Sequence, residues 1–230
     1  DDYAFDIGAT GDITSLDADS NTVNPGAAKV NGTVAAPTKV LTVKNSGSLT
    51  LATAAGSPAK GSIYWGQQNV PVSKFRISST DEAQYIEKLT IAASVAAEAT
   101  DAAANVKEVA LTYKNKAGAT LTTTQSFGNG ASVNFNWANT DENRPYVPKD
   151  SNLDLSVNAN MRTKAEGATQ TTGTSAGALV QFSLDLVDVF NGSVANGFRA
   201  VGEGSGTVID GSGTNIVDRL GAFKQNVYRV

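Results

Sequence analysis

The segment Leu153–Met161, with the sequence LDLSVNANM, carries the clearest structural signal in this chain of 230 residues. Its apolar side chains occupy every second position: Leu153, Leu155, Val157, Ala159 and Met161. Successive side chains of a β-strand point to opposite faces, so this period predicts a long strand with one buried face. The same period recurs on both sides of the segment, and it therefore decides the fold class.

Working outward, we find about nine to twelve short segments with strand character, separated by turn signals such as Lys116–Gly118 and Gly128–Gly130. The segments are 3–7, 39–44, 70–77, 85–94, 106–114, 119–127, 133–137, 180–186, 198–201, 207–209 and 226–230, in addition to 153–161. Regular alternation of strands with helices is missing from the pattern, which argues against a doubly wound α/β fold. The sequence predicts an all-β sandwich, with Trp137 in the core because it continues the alternation of Val133 and Phe135.

The segment that begins at Val70 shows a phase slip between Val72 and Phe75. An extra residue in one strand produces such a slip, so we expect a β-bulge there. Pro71 has no N–H to give to a neighbouring strand, which predicts that this strand begins at a sheet edge.

Residues 85–94 allow two interpretations. As a strand, the segment places Tyr85, Glu87, Leu89 and Ile91 on one face. As a helix, it would follow a capping-box pattern at Ser79–Glu82 and run into an Ala-rich stretch. We favour the strand, and we expect residues 96–104 to form a loop, with a short helix as the alternative.

Composition excludes several classes of chemistry. The chain has no Cys and no His, which excludes disulfide bonds, thiolate metal sites and imidazole catalysis. Its 18 Lys and Arg against 22 Asp and Glu give a net charge of −4 without a basic stripe, so we expect no nucleic-acid partner. No apolar run reaches the roughly 20 residues that span a bilayer. No catalytic motif is present, and the glycines between Gly202 and Gly213 lack phosphate-loop spacing. We predict that the protein is not an enzyme.

Calcium is the one cofactor that the sequence suggests. Asp17, Asp19 and Asn21 place three oxygen-bearing side chains two residues apart, and Ca²⁺ takes 6–8 oxygen ligands. Asp150–Asp154 repeats this spacing. Both loops lack the glycine and glutamate of an EF-hand, and residues that close Asx turns at strand ends are the alternative explanation.

The sequence also contains candidate residues for glycan binding and for covalent modification. The aromatic candidates for a sugar platform are Tyr64, Trp65, Trp137 and Tyr146. Trp65 is the better candidate because it lies beside Gly66 and Gln67, and we consider it together with Tyr64. Glycosylation sequons begin at Asn31 and Asn191. Surface β domains also use Lys–Asn isopeptide bonds, although the sequence does not position such a pair.

The N-terminal segment combines an alternating strand, carrying Tyr3, Phe5 and Ile7, with a long polar loop. We therefore divide the chain into an N-terminal extension, residues 1–24, and a sandwich domain, residues 25–230. The strand has two possible partners. It can pair with its own chain as an ordinary first strand, or it can donate itself to a groove in the next subunit by β-strand addition. In the second case Tyr3, Phe5 and Ile7 form the subunit interface.

The stretch Val70–Met161 resembles immunoglobulin-like modules of prokaryotic surface proteins, including S-layer-type and filament-forming proteins. The resemblance is carried by VPVSKFRISSTDEAQYIEKLTI, VKEVALTYKNKAG, SFGNGASVNF and YVPKDSNLDLSVNANMRT, and GFRAVGEGSGTVIDG is similar to the closing segment of such modules. It implies an immunoglobulin-like topology and a secreted, non-catalytic building block.

From these observations we expect an extracellular, cell-surface protein that serves as a structural subunit of a filament or surface layer. Its partner is then a second copy of itself. One alternative is a carbohydrate-binding or adhesive module that contacts surface glycans, and a second is a virion decoration protein.

Overall fold

The structure is a computed structural model that describes residues 2–4, 15–16, 22–23, 40–42, 47–93, 105–128, 132–169, 179–185, 197–210, 216–217 and 222–230. The chain divides into two compact units, Asp1–Asn45 and Ser46–Val230. This division falls about twenty residues after the boundary predicted between residues 24 and 25, and that boundary stays a prediction.

The first unit contains four short strands: β1 (Asp2–Ala4), β2 (Ser15–Leu16), β3 (Thr22–Val23) and β4 (Val40–Thr42). β1 pairs antiparallel with β4, with Tyr3 opposite Leu41, and β2 pairs antiparallel with β3. In this structure, therefore, the first strand pairs with its own chain. Phe5 and Ile7 lie outside the described residues.

The second unit begins with a sheet of six strands: β5 (Ser48–Thr53), β7 (Val70–Thr80), β9 (Val106–Lys114), β10 (Thr120–Ser126), β13 (Asn152–Met161) and β17 (Ile216–Val217). Their order is β10-β9-β13-β7-β5-β17. The segment that decided the fold class is β13, which lies antiparallel between β7 and β9. All five of its alternating apolar side chains are buried, as predicted.

The other sheet has eight strands: β6 (Gly61–Ser62), β8 (Gln84–Ala93), β11 (Ser132–Asn136), β12 (Tyr146–Val147), β14 (Leu179–Asp185), β15 (Phe198–Gly202), β16 (Val208–Asp210) and β18 (Ala222–Arg229). β8 is central. β14 and β15 follow each other along one side of β8, and β11 and β12 follow each other along its opposite side.

The core lies between the two sheets and draws on both. Phe75 and Ile77 of β7 are fully buried, as are Phe135 of β11 and Phe182 of β14, and all four belong to one apolar cluster. Trp137 is 9% exposed and joins this cluster, which confirms its predicted place. The protein is thus the all-β sandwich that the sequence predicts, while the immunoglobulin-like topology stays a prediction.

The phase slip in β7 is a β-bulge. Val157 of β13 lies opposite Ser73 and Asn158 lies opposite Pro71, so Val72 is the extra residue. The pairing of β7 with β5 reaches back only to Phe75, so within the described residues Pro71 has a neighbouring strand on one side only. Both expectations for this strand are confirmed.

β8 is a strand, as predicted, and not a helix. The prediction that Tyr85 and Glu87 share one face with Leu89 is wrong. Ile86 is fully buried, whereas Tyr85 and Glu87 are half-buried on the other face. The cause is a second bulge: Arg199 lies opposite Lys88 and Ala200 lies opposite Ile86, so Glu87 is the extra residue. The bulge reverses the phase, and Leu89 returns to the core.

A short helix, α1 (Lys164–Ala168), follows β13. Thr163 caps its N-terminus, and the Glu166 side chain accepts a hydrogen bond from the Thr163 N–H in a capping box. The Lys107 ammonium, followed by the Thr163 groups, lowers the pKa of Glu166 to about 2. Within the residues that the structure describes, no helix is both long and apolar enough to cross a membrane.

Candidate functional site

Tyr64 and Trp65, the aromatic pair predicted as a sugar platform, lie in different environments. Tyr64 is 73% exposed, whereas Trp65 is half-buried and donates its indole N–H to Asn105 Oδ1 at 3.0 Å. The Lys164 ammonium lies 5.7 Å from the Trp65 ring centroid, so one face of that ring already has a cationic neighbour. A platform at these residues stays a prediction.

The first predicted calcium loop, with Asp17, Asp19 and Asn21, lies outside the described residues, as do the sequons at Asn31 and Asn191. In the second loop, Asp150 Oδ1 accepts a hydrogen bond from the Asp81 N–H, whereas Asp154 forms an ion pair with Arg76 at 2.7 Å. These two carboxylates therefore serve different partners. No group of three or more acidic side chains suited to a metal occurs in the described part of the chain.

β10 forms an edge of the six-stranded sheet, and among the described strands it pairs with β9 alone. The Asn115 N–H donates to Ala119 O, and the Phe127 N–H donates to Lys107 O. These two bonds fix the alternation: odd-numbered residues of β10 bond to β9, and even-numbered residues point their backbone groups away from it. The outward set is Thr120, Thr122, Thr124 and Ser126, whose side chains are all exposed.

Among the described residues, this edge carries none of the sequence features that block pairing with another chain. Edge strands of monomeric proteins carry charged side chains, proline or bulges that block an added strand. β10 reads TLTTTQS, which has no charge and no proline, and its seven residues pair with β9 in unbroken register. The edge is therefore a ready template for a further strand.

The apolar core extends to this edge, where a few of its side chains are slightly exposed. Leu121 of β10 is half-buried and packs against the core. Tyr113, Phe127 and Val133 retain 3%, 4% and 6% exposure, whereas Phe75 and Leu155 retain none. A strand added to β10 would cover this flank with the side chains of its inner face.

A second feature is a polar cleft around Tyr85, which the bulge in β8 turns away from the core. Glu203 accepts hydrogen bonds there from the Tyr85 hydroxyl at 3.1 Å, from the Tyr146 hydroxyl at 2.7 Å and from the Lys116 ammonium. The two tyrosine rings are 5.1 Å apart. Burial and the Glu203 carboxylate raise the pKa of Tyr146 to about 12, while the Lys116 ammonium keeps the pKa of Glu203 below its usual value.

Two arginines share one carboxylate on the other side of Tyr85. Arg144 donates to Glu87 Oε1 at 3.3 Å, and Arg199 Nε donates to Glu87 Oε2 at 2.8 Å. The Arg144 guanidinium also stacks on Tyr85, with its Cζ 3.9 Å from the ring centroid. Tyr85 is thus covered by a cation, and the sequence pattern identified none of these charged residues as a site.

Glu82 closes the turn that follows β15. Its carboxylate accepts hydrogen bonds from the N–H groups of Gly204 and Ser205, from the Ser205 hydroxyl and, at 3.3 Å, from the Gly47 N–H. The ends of two strands and one loop are therefore joined through a single side chain. In the helical alternative for residues 85–94, Glu82 would have been the last residue of a capping box; in the structure β8 is a strand and Glu82 has this different role.

Comparisons with known proteins identify no family for this chain. No family model matches the chain, and no curated protein matches it. Among solved structures, the chain is similar to a family 123 glycoside hydrolase from Clostridium perfringens that was studied for glycolipid glycan hydrolysis. The identity is 7% and the TM-score is 0.32, with 80% of this chain and 27% of the hydrolase covered. The chain thus spans about a quarter of that protein, and a likeness this weak carries no argument about activity.

Proposed function

We propose that the protein is a non-catalytic structural subunit of an extracellular filament or surface layer, and that subunits join by strand addition at β10. The supporting observation is the edge of β10, which has no charged residue and no proline, presents four outward-facing residues and pairs only with β9 among the described strands. A chain that remained a monomer would leave this edge exposed at the risk of aggregation. A chain that assembles uses it as an acceptor.

The energetics require an apolar donor. A few backbone hydrogen bonds contribute about 1 kcal/mol each, and association costs roughly 4–15 kcal/mol. Burying an apolar side chain contributes about 1.5–3 kcal/mol, so three of them, added to the hydrogen bonds, exceed the cost of association when the acceptor edge is preformed. The N-terminal strand supplies this number in Tyr3, Phe5 and Ile7, which alternate as an added strand requires.

Donation from one subunit to the next is a head-to-tail contact, which generates an open polymer and not a closed ring. β1 pairs with β4 in the isolated chain. The proposal therefore includes an exchange, in which β1 leaves β4 and lies against β10 of a neighbouring subunit.

The acceptor edge is tested by Thr124→Pro. Residue 124 has its N–H on the outward side, so proline removes one donor for an added strand and no hydrogen bond to β9. We expect this variant to remain folded and to melt only a few degrees below the wild type, because an edge strand tolerates proline where its N–H faces solvent. We also expect negative-stain microscopy and light scattering to show that its polymers are lost.

Two matched variants complete this test. Thr124→Ala retains the outward N–H and should polymerise like the wild type. Thr123→Pro removes a hydrogen bond to β9 and should be less stable than Thr124→Pro. Polymers of unchanged length from Thr124→Pro, or a wild-type chain that stays monomeric at high concentration, would contradict the proposal.

The donor is tested by removing residues 1–9. We expect the truncated chain to remain monomeric, since the acceptor edge then has nothing to receive. A synthetic peptide of residues 1–9 should bind the truncated chain and fail to bind its Thr124→Pro variant, as measured by fluorescence anisotropy. If the truncated chain still forms polymers, the donor lies elsewhere.

A further inference from the structure

The polar cleft beside Tyr85 has the size of a small-ligand site. It has a volume of about 330 Å³ and is lined by residues that include Arg144, Arg199, Glu87, Asn139 and Val208. Its walls come from β8, from the loop before β12 and from β15 and β16, so the lining residues extend over more than one hundred positions of the sequence, from Tyr85 to Val208. Ligand sites combine apolar walls with a few convergent polar groups in this way.

The arginines in this cleft have hydrogen-bonding capacity left over. A guanidinium carries five N–H donors. Within the described residues, Arg199 uses its Nε for Glu87, and its terminal NH₂ groups stay available in a side chain that is 49% exposed. Arg144 Nε is buried and has no hydrogen-bond partner.

The charges at this end of the cleft leave a positive excess. Arg144 and Arg199 share the single carboxylate of Glu87, and the charge of Glu203 is matched by Lys116. Asp210 and Lys88 lie directly opposite Arg199 on its two neighbouring strands, and their opposite charges offset each other. The acidic residues Asp141 and Glu142 line the neighbouring cavity on the other side of Tyr85. This charge distribution favours an anionic group beside Arg199 and disfavours one on the other side of Tyr85, near Asp141 and Glu142.

The remaining walls suit a sugar ring. Val208 is 39% exposed and Val201 lies beside it, which provides an apolar surface for C–H groups. The exposed amide of Asn139 supplies a donor and an acceptor for hydroxyl groups. We propose that this cleft binds a carboxylated sugar, a uronic acid or the acidic end of a surface glycan, with its carboxylate on Arg199 and its hydroxyls on Asn139.

This inference goes beyond the proposed assembly and is independent of it, because the Thr124→Pro variant leaves the cleft intact. A subunit with both features would form a polymer through β10 and bind acidic glycans at a separate site. A variant that abolishes polymerisation, such as Thr124→Pro, still allows glycan binding to be measured. A variant that weakens glycan binding, such as Arg199→Gln, still allows polymerisation to be measured.

Binding is tested by titrating the full chain with D-glucuronate, using calorimetry and saturation-transfer NMR, with D-glucose and inorganic phosphate as probes of the same site. We expect glucuronate to bind more tightly than both. Arg199→Gln should weaken it at least about tenfold, since hydrogen bonds to charged groups contribute about 1.5–3 kcal/mol.

Two further variants separate recognition from folding. Asn139→Ala leaves the ion pairs of the cleft in place and should weaken glucuronate binding without lowering the melting temperature. Lys149→Gln removes an exposed positive charge outside the cleft and should change nothing. The proposal is overturned if glucuronate shows no binding at about 50 mM. It is also overturned if phosphate or glucose binds as well as glucuronate, or if Arg199→Gln binds it like the wild type.

Discussion

Phe75→Ala is expected to lower the melting temperature by roughly 6–20 °C, the largest effect of any single change considered for the sandwich. Phe75 is fully buried at the centre of the six-stranded sheet, where Leu155 lies on one side of it and Thr53 on the other. Replacing a buried Phe by Ala costs about 3–5 kcal/mol, because the lost transfer energy adds to the cost of the cavity. Domains have only about 5–15 kcal/mol of stability in total.

The matched control is Tyr64→Ala. It removes an aromatic side chain of similar size that is 73% exposed, so it should change stability by about 0.5 kcal/mol or less. Scanning calorimetry of the two variants beside the wild type measures both effects. Equal melting temperatures for Phe75→Ala and the wild type would show that Phe75 does not lie in a packed core.

Strand periodicity was sufficient to predict the centre of this fold. β13 carries strict alternation, and β9 does so from Val109 to Tyr113, because each of these stretches presents one continuous face to the core, where the structure buries it. Trp137 followed from the same logic, and its indole N–H finds the Tyr113 hydroxyl at 2.9 Å. Even the bulge at Val72 was visible, since an extra residue shifts the phase of the apolar pattern.

Elements with weak or interrupted patterns were missed. β5 (Ser48–Thr53) is not among the segments for which the sequence predicts a strand. The bulge at Glu87 escaped detection because Tyr85 and Glu87 fit an alternating face as well as Leu89 does. The pairing of β15 with β8, and not the local sequence, decides which of them point into the core.

The cleft was beyond sequence reasoning for a different reason. Lys116, Arg144 and Glu203 belong to separate loops, and no motif spacing relates them. Of the aromatic residues considered as ligand contacts, the structure places Tyr146 at this cluster, whereas Tyr64 and Trp65 lie elsewhere in the fold. Charged side chains on solvated loops carry no period, so only the assembled strands show which of them meet.

Acid is expected to destabilise the protein, with Glu82 as a principal cause. Burial raises the pKa of Glu82, but the hydrogen bonds from Ser205, Gly204 and Gly47 together outweigh burial and lower it. The pKa of Asp154 is lowered likewise, first by its hydrogen bond to Arg76. A carboxyl with a lowered native pKa stabilises the fold fully above its unfolded pKa, near 4.5 for Glu82. This stability is lost as the pH falls through the native pKa.

The melting temperature should therefore be nearly constant from about pH 5.5 to 8, because the chain has no His to titrate in that range. Below about pH 4.5 it should fall steadily, as the unfolded state takes up more protons than the native state. Scanning calorimetry between about pH 2.5 and pH 8, a range that brackets the pKa values of carboxyl groups, measures the melting temperature as a function of pH. A maximum of stability near pH 3 would contradict the role of the carboxylates.

Glu82→Gln measures how much Glu82 contributes to the pH dependence of the melting temperature. At pH 7 the variant should melt roughly 4–12 °C below the wild type, because a neutral amide cannot replace a carboxylate that holds three segments by charge-assisted hydrogen bonds. The difference should shrink as the pH falls, since the wild-type side chain itself becomes neutral. Asp141→Asn is the control: it neutralises a carboxylate that accepts a hydrogen bond only from the nearby Asn143 N–H among the described groups, and its curve should follow the wild type. If the gap between Glu82→Gln and the wild type stays constant down to pH 2.5, the negative charge of Glu82 does not stabilise the fold.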